Sequence, residues 1–433
     1  MERTFSITTL GCKLNQYESE CIRQTLVKNG WIFREQGQAA SFIIINTCTV
    51  TGRSDSRCRN AIRRAKKSSP DSIIIATGCY AETRPDALKG MPETDMIIGN
   101  DEKGSIPRLM EELSAGSADG SSRQCVSSPI EPAVGVFLDR SRALVKIQEG
   151  CDASCSYCII PRARGASRSV DTGAILTQVS ELEKNGCEEI VLTGIHIGRY
   201  GGDLASRATL ESLMREILLE TRVLRVRLSS IEVNEVTDGI IGMIADSGRV
   251  APHFHIPLQS GHDDILRAMN RPYTTAIFRE KLLSIKKASP DIAVGTDIIV
   301  GFPGETEDHF NSSARFLKSV PVDYFHVFPF SARPETAAES LPGQVSPEEK
   351  KARCRRLINL GKSRRREFMM SQAGRVSLTL IQGKARKHSR FSTGLTGNYC
   401  EVSLPADSGL QGRLENVEIL RYSRGRLYGR LVT

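Results

Sequence analysis

Apolar positions gather in short blocks along the first third of the chain, and helical spacing fills the gaps between them. Phe5-Ser6-Ile7-Thr8-Thr9-Leu10 predicts a strand. Phe42-Ile43-Ile44-Ile45-Asn46 is apolar at successive positions, the mark of a parallel strand buried on both faces. Ser72–Thr77 predicts a third strand and Met96–Ile98 a short fourth. Between them Asn15–Asn29 is amphipathic and stops at Gly30, Ser54–Lys67 predicts a basic helix, and Glu102–Leu113 predicts a closing one. This alternation predicts a small open parallel α/β sheet over residues 1–113. Residues 114–136 predict a linker, flexible because Ser, Gly and Ala crowd Ser114–Ser128.

From 137 to 370 the alternation resumes with a longer period. Strands are expected at Ala143–Gln148, Glu189–Thr193, Leu224–Ser230, His253–Leu258, Ala293–Gly301 and Tyr324–Phe330. Helices fall between them, among them Asp171–Lys184, Leu210–Glu220 and Thr274–Ala288. Six such units fit an incomplete (βα)6 barrel, with active groups at the carboxyl ends of its strands. Residues 371–433 change again, to short β-rich runs at Val376–Ile381, Cys400–Leu404, Glu415–Tyr422 and Leu427–Val432, which predict a small antiparallel β-barrel. The fold class is therefore α/β with an all-β terminal unit.

Composition narrows the class. The 433 residues are 39% apolar and 25% charged, an ordinary globular mix. No apolar run approaches the ~18 residues a membrane helix needs. Met1-Glu2-Arg3-Thr4 has no signal-peptide pattern, so a cytoplasmic location with no membrane partner is expected. Twelve cysteines in so long a chain do not suggest a secreted disulfide scaffold; intracellular thiols holding metal fit better. The net charge is +9, and it is uneven: Lys350 to Arg366 contains no acid, and residues 371–433 carry ten Lys and Arg against four acids. Such surfaces attract phosphate backbones, although a solvated helix face explains many charge runs.

The chemistry lies in the cysteines. Cys151, Cys155 and Cys158 are spaced C-x3-C-x2-C with no fourth cysteine nearby. A four-iron cubane takes four outside ligands, so three thiolates leave one iron open to a small molecule. A structural zinc site usually pairs two C-x2-C knuckles, and Cys155 with Cys158 alone could be half of one. A second set, Cys12, Cys48 and Cys79, follows three predicted strands of the first unit. Strand ends line up along one edge of an open parallel sheet, where ligands bind, so three thiols distant in sequence could converge there. Gly11 and Gly78 remove side-chain bulk just before two of them. A second cluster, a zinc site or buried filler are the alternatives. Cys21, Cys58, Cys125, Cys187, Cys354 and Cys400 share no pattern and receive no role. Lys13 beside the first thiol is placed to lower its pKa or to meet phosphate, or is a surface lysine. His253 and His255 alternate on one strand face, as a metal pair or as interior packing.

C-x3-C-x2-C after a strand, with Tyr157 before the third cysteine, resembles the signature of the radical S-adenosylmethionine (SAM) enzymes. Cys12, Cys48 and Cys79 in their contexts resemble the N-terminal domain of the methylthiotransferases, and Gly394-Leu395-Thr396-Gly397-Asn398-Tyr399 resembles the signature of the TRAM domain, an RNA-binding barrel. The likeness covers essentially the whole chain. It implies two [4Fe-4S] clusters, one on each cysteine set, and SAM on the open iron of the barrel cluster. One SAM yields a 5′-deoxyadenosyl radical, and a second methylates a sulfur carried by the auxiliary cluster. Leu10–Glu20, Ile45–Thr51, Gly78–Ala81, Lys146–Cys151 and Ile159–Gly165 look most like the branch acting on threonylcarbamoyladenosine at tRNA position 37. Isopentenyladenosine at the same position and a ribosomal-protein aspartate are the alternative substrates within the family; a zinc-stabilised RNA-binding protein is the non-enzyme alternative.

The resemblance also places supporting residues. Thr193 and Gly194 end the second barrel strand where the SAM amino group would lie, with a plain turn as the other reading. Glu232 is set to reach the SAM ribose, or is an exposed loop carboxylate; Gln259 and Gly301 lie in segments that the family keeps near SAM. Arg364, Arg365 and Arg366 on the basic helix, with Lys384, Arg386 and Lys387 in the terminal barrel, are expected to grip phosphates of a tRNA anticodon stem-loop. An electron donor such as flavodoxin or ferredoxin is implied.

Overall fold

A computed structural model of the chain describes residues 2–115, 141–384, 391–406 and 409–432. Residues 116–136 of the expected linker, and Cys125 with them, lie outside these. The first unit contains β1 (Thr4–Thr9), β2 (Ile32–Phe33), β3 (Phe42–Thr47), β4 (Ile73–Gly78) and β5 (Met96–Ile98) in one sheet of order β2-β1-β3-β4-β5. Every pair in it is parallel. The four expected strands are present; the two-residue β2 is too short to register as a period. β3 is buried along its whole length. Ile44 packs with Phe5, Ile75 and Met110 on one face, while Ile43 and Ile45 pack with Ile62 and Tyr80 on the other. Alternate side chains therefore feed two cores at once, which is why this strand carries no polar face. The closing helix starts later than expected, as Ile106–Ser114 behind a 3-10 turn at Lys103–Ser105, because Pro107 sits in its first turn, where a missing N–H costs nothing.

The central unit holds β6 (Ala143–Lys146), β7 (Gln148–Glu149), β8 (Arg168–Ser169), β9 (Glu189–Thr193), β10 (Arg225–Leu228), β11 (His253–His255), β12 (Ala293–Val300) and β13 (Tyr324–Pro329). β6-β9-β10 and β11-β12-β13 form two three-stranded sheets. Parallel bridges at Val226–Val250 and Ser230–His255 join them into one open curve in chain order. The six expected barrel strands are all present; β7 and β8 add a small antiparallel ribbon that brackets the first cysteine loop. Leu14, Tyr17 and Cys21 of the helix Lys13–Lys28 belong to the same continuous core as Ala143–Val145, so the first unit packs beside β6. At the other edge the helix Pro347–Ser371 packs on β13, where Gly361 lets it approach: a Cβ there would stand 3.2 Å from the Phe325 ring.

β14 (Val376–Lys384), β15 (Phe391–Thr396), β16 (Glu401–Pro405), β17 (Leu414–Ser423) and β18 (Arg426–Leu431) close into a barrel of order β14-β15-β16-β18-β17. β15 was not expected. Its Gly394 interrupts the alternation because the strand crosses close to its neighbour: a Cβ would lie 2.5 Å from Thr379 Cγ2. Two arginines of β10 hold this barrel against the central one. Arg225 donates to the carbonyls of Leu378 (2.7 Å) and Leu395 (3.1 Å), and Arg227 to those of Gly397 (2.7 Å) and Thr396 (3.1 Å). No helix among the described residues is long and apolar enough to cross a membrane.

Ile44→Ala should cost about 2–5 kcal/mol, the usual penalty for truncating a fully buried aliphatic side chain. The check is the denaturant midpoint of the full-length protein's unfolding. A loss below about 1 kcal/mol, less than that range, would contradict burial of Ile44 in the core beside Phe5 and Ile75.

Candidate functional site

β1, β3 and β4 run in register, with Thr9 opposite Asn46 and Asn46 opposite Thr77. Cys12, Cys48 and Cys79 follow within three residues of those partners and so come together at one edge. Two glycines make the approach possible. Gly11 has φ +110°, and a Cβ there would stand 2.8 Å from Cys48 Cβ; Gly78 has φ +95°, and its Cβ would stand 2.5 Å from the Thr47 carbonyl oxygen. Cys48 and Cys79 are buried and Cys12 is exposed. Burial pushes the Cys48 thiol's pKa up, and the neighbouring Cys79 and Cys12 push it the same way. Three thiols that repel one another as thiolates suit a group that carries positive charge and withdraws their protons, as an iron cluster does. Cys58, given no role by its sequence context, donates to the Cys48 carbonyl at 3.3 Å and shapes that loop.

Cys151, Cys155 and Cys158 lie beyond β6 and β7. Gly150, at φ +71°, turns the chain directly against the Ala166 carbonyl, where no side chain fits. Cys151 N–H donates to the Gly165 carbonyl (3.1 Å), and Cys158 N–H to that of Cys155 (3.0 Å). All three cysteines line one cavity of about 510 Å3. Burial, with Cys155 and Cys151 adding to it, pushes the Cys158 thiol up to about 12. The donor set again fits a charged cluster. Two residues that the sequence did not single out address its sulfurs: Arg271 Nη1 donates to Cys155 Sγ at 3.0 Å, and His196 Nδ1 stands 3.5 Å from Cys151 Sγ.

A second cavity, of about 670 Å3, opens beside Cys155. Glu232 lines it and is ion-paired with Arg271. Arg271 also stacks on Tyr273 at 4.9 Å. Asn270 ties this segment to the cysteine loop by donating to the Ser154 carbonyl (2.9 Å) and Oγ (2.7 Å). The other expected SAM contacts sit at strand ends rather than among that cavity's lining. Thr193 is buried and accepts from Ile147 N–H at 2.9 Å. Gly194 crosses so close to Gln148 that a Cβ would be 2.8 Å from its carbonyl oxygen. Gln259 has φ +69° and exchanges backbone bonds with Asp297 (2.8 Å) and Ile299 (2.9 Å). Gly301, at φ +72°, donates to Glu305 Oε2 at 2.6 Å.

One buried side chain touches both cysteine regions. The helix Ile160–Arg164 begins two residues after Cys158, and Arg164 at its end is fully buried. Its Nε donates to Cys79 Sγ (3.3 Å), Nη2 to Asn15 Oδ1 (2.6 Å), and Nη1 to Glu149 Oε1 (2.7 Å) and to Glu18. Asn15 in turn donates to the carbonyls of Leu10 (2.7 Å) and Thr47 (2.9 Å), fixing the loops that carry Cys12 and Cys48. Burial opposes the Glu18 charge, but Arg164 and Lys103 outweigh it and hold its carboxyl well below the usual range. Arg164 stands within the Ile159–Gly165 motif, but nothing in that motif says it reaches across to Cys79.

On the barrel's inner face His253 is engaged in packing: its Nε2 meets Tyr324 Oη at 2.6 Å and its ring stacks on Tyr399 at 4.7 Å. His255 pairs instead with Asp297 (3.2 Å) and with Ser230 Oγ (2.8 Å). Of the three arginines on the long helix, Arg364 donates to the Lys318 carbonyl, Arg365 lies over the Tyr324 ring at 5.3 Å, and Arg366 is exposed. Lys384 ends β14; Arg386 and Lys387 lie outside the described residues.

Residues 4–99 match an uncharacterised protein family, UPF0004, and residues 145–317 match the radical SAM superfamily. The chain is 39% identical over 429 residues to the threonylcarbamoyladenosine tRNA methylthiotransferase MtaB of Bacillus subtilis, spanning 96% of this chain and 94% of that one. It is 35% identical to the MtaB of Aquifex aeolicus, with 91% and 95% covered. It is 30% identical to the tRNA-2-methylthio-N(6)-dimethylallyladenosine synthase of Syntrophobacter fumaroxidans, with 100% and 96% covered. Among solved structures, the radical SAM methyltransferase TsrM of Kitasatospora setae superposes with a TM-score of 0.57 at 13% identity, covering 78% of this chain and 74% of that one, a likeness of fold. With two cysteine triads at the strand ends of two joined sheets, and relatives matched over nearly their full length, the chain belongs to the radical SAM tRNA methylthiotransferase family.

Proposed function

We propose that this enzyme inserts a methylthio group at C2 of N6-threonylcarbamoyladenosine at position 37, reading its tRNA substrate at the anticodon stem-loop. The observation that carries the reading is the linking of the two cysteine-triad regions through Arg164, which supports a sulfur-handling site beside a SAM site. Four threonylcarbamoyladenosine relatives are 35–39% identical, against 29–30% for four dimethylallyladenosine synthases, which supports the choice of nucleoside.

The hydrogen at C2 is unactivated, so the chemistry belongs to the cofactors: when bound, two [4Fe-4S] clusters and SAM supply the radical and the sulfur, with electrons from a donor such as flavodoxin or ferredoxin. The protein's part is to bind, orient and exclude water. Cys151, Cys155 and Cys158 would hold the barrel cluster, and Cys12, Cys48 and Cys79 the auxiliary one. A tetrahedral zinc site, with Zn–S near 2.3 Å, would draw its thiolates to within about 3.8 Å of one another. Among the described residues, the groups whose ligand atoms all lie within 4.8 Å of one another are two histidine–aspartate sets; neither cysteine triad is that tight. Glu232 keeps one oxygen on Arg271 and would turn the other to the SAM ribose in the cavity beside Cys155. Thr193, Gly194, Gln259 and Gly301, at strand ends outside that cavity's lining, would shape the backbone toward SAM. Residues 1–113 would form the auxiliary-cluster domain, 114–136 the linker, 137–370 the radical SAM barrel and 371–433 the TRAM domain, in a cytoplasmic enzyme. Of the expected Arg364, Arg365 and Arg366, the exposed Arg366 would be the phosphate contact of the long helix, joined by Lys384, Arg386 and Lys387.

Replacing Cys151, Cys155 or Cys158 with alanine should abolish SAM cleavage, read as 5′-deoxyadenosine release. Replacing Cys12, Cys48 or Cys79 should leave cleavage and stop sulfur insertion, with iron falling from about eight per chain to about four. Sulfur insertion that survives in the second set removes the auxiliary cluster. Nucleoside analysis of tRNA from a strain lacking the gene should show loss of the methylthio group from threonylcarbamoyladenosine alone; loss from isopentenyladenosine would reassign the substrate. Arg366→Ala should lower the salt slope of tRNA binding by about 0.7–0.9, one phosphate contact, and an unchanged slope would exclude it as a contact.

A further inference from the structure

The inner face of the central barrel carries more positive charge than its carboxylates balance. Glu189 at the start of β9 is fully buried and shared by three guanidiniums: Arg225 Nε at 2.6 Å, Arg227 Nε at 2.9 Å and Arg142 Nη1 at 3.6 Å. Burial opposes its charge, but Arg227 and Arg225 hold its carboxyl down to about 2, so it remains an anion. Arg142 Nη1 is buried with no hydrogen-bond partner among the described residues.

From there the positive surface continues through ring contacts. The guanidiniums of Arg142 and Arg227 stand 5.7 Å and 5.2 Å from the Tyr399 ring. Tyr399 stacks on His253 at 4.7 Å, His253 on Tyr324 at 6.0 Å, and Arg365 covers Tyr324 at 5.3 Å. Lys13, half-buried and one residue beyond Cys12, is near enough to act electrostatically on both Tyr399 and His253. Among the described residues neither Lys13 nor Arg365 has a carboxylate within ion-pair reach. The other carboxylate on this face, Asp297, is paired with His255. Five cations thus confront two carboxylates on this face, with Glu189, Arg225 and Arg227 buried and Lys13 and Arg365 half-buried. Unpaired charge of this kind is costly to keep unless an anion completes the set.

We propose that this positive floor receives the carboxylate of the threonylcarbamoyl group on the substrate adenine, with Lys13 and Arg365 as its partners. The inference rests on the substrate reading above and adds how that nucleoside is told apart: an alkylated adenine brings no anion and would leave the floor uncompensated. A carboxylate seated there would gain charge-assisted bonding, stronger than a neutral bond.

The test uses the reconstituted full-length holoenzyme and two synthetic anticodon stem-loops, identical except that one carries the threonyl carboxylate and the other its uncharged carboxamide. Equilibrium binding should favour the carboxylate by about ten- to a hundredfold, the range for a hydrogen bond to a charged group. Lys13→Gln and Arg365→Gln should each shrink that ratio by weakening the carboxylate stem-loop alone. Because Lys13 adjoins Cys12, iron content is measured alongside; Arg365, on the long helix, gives an independent arm. Equal binding of the two stem-loops by the unaltered enzyme overturns the proposal. So does a ratio preserved in both variants, or an equal loss for both stem-loops, which would mark a backbone-phosphate contact. Failure of the substrate reading would appear elsewhere, in the tRNA nucleoside analysis, and the two failures are told apart by those separate readouts.

Discussion

A single buried guanidinium, that of Arg164, fixes where the two cysteine sets stand relative to each other. It leaves the radical SAM loop on the short helix after Cys158 and ends on Cys79, Asn15, Glu18 and Glu149. The first unit therefore does not merely lean on the barrel through apolar contact; it is keyed to it by directional bonds. Lys103 on Glu18 and Lys146 on Glu149 complete the charge balance. Removing one member of such a set leaves an uncompensated buried charge, at about 3–5 kcal/mol, far more than an exposed pair is worth. Chemistry that moves sulfur from one centre to a carbon activated at another needs fixed spacing, and this network supplies it.

Much of the architecture was legible along the chain because it rests on strong periodic signals. The Ile43–Ile45 run reads as a strand buried on both sides, and the five barrel strands after the first each follow a helix. Cys12, Cys48 and Cys79 could be grouped because each stands at the same point of a β–α repeat. What escaped were features set by tertiary contact. β15 carries a glycine at mid-strand for the sake of Thr379 on its neighbour, and local pattern reads that as a break. Arg271 and His196 address the cysteine sulfurs from positions far away in sequence, and no spacing rule links them to Cys155 or Cys151. Arg365 looked like one of three equivalent solvent-facing arginines; its neighbour Arg364 is tied to a carbonyl, and Arg365 itself turns inward over Tyr324.

The barrel's two faces divide labour between stability and chemistry. Phe254, Val294, Ile298 and Phe325 turn outward into the continuous apolar core beneath the helices. Their sequence neighbours His253, His255, Asp297, Tyr324 and His326 turn the other way, into a polar interior. The period of two that makes a strand amphipathic thus builds a hydrophobic shell and a reactive lumen from the same stretch of chain.

The attachment of the terminal barrel has a consequence for modularity. Part of its grip on the catalytic unit is made of its own backbone oxygens, at Leu378, Leu395, Thr396 and Gly397, which fill the donor slots of Arg225 and Arg227; Tyr399 on His253 and the Arg413–Glu188 pair add side-chain contacts. Main-chain acceptors do not depend on side-chain identity, so the barrel's outer surface is free to diverge while that part of the joint stays intact. The same joint makes the module hard to shed: a chain shortened before β14 would bare two guanidiniums over a single carboxylate, and the enzyme's interior would open to water from below.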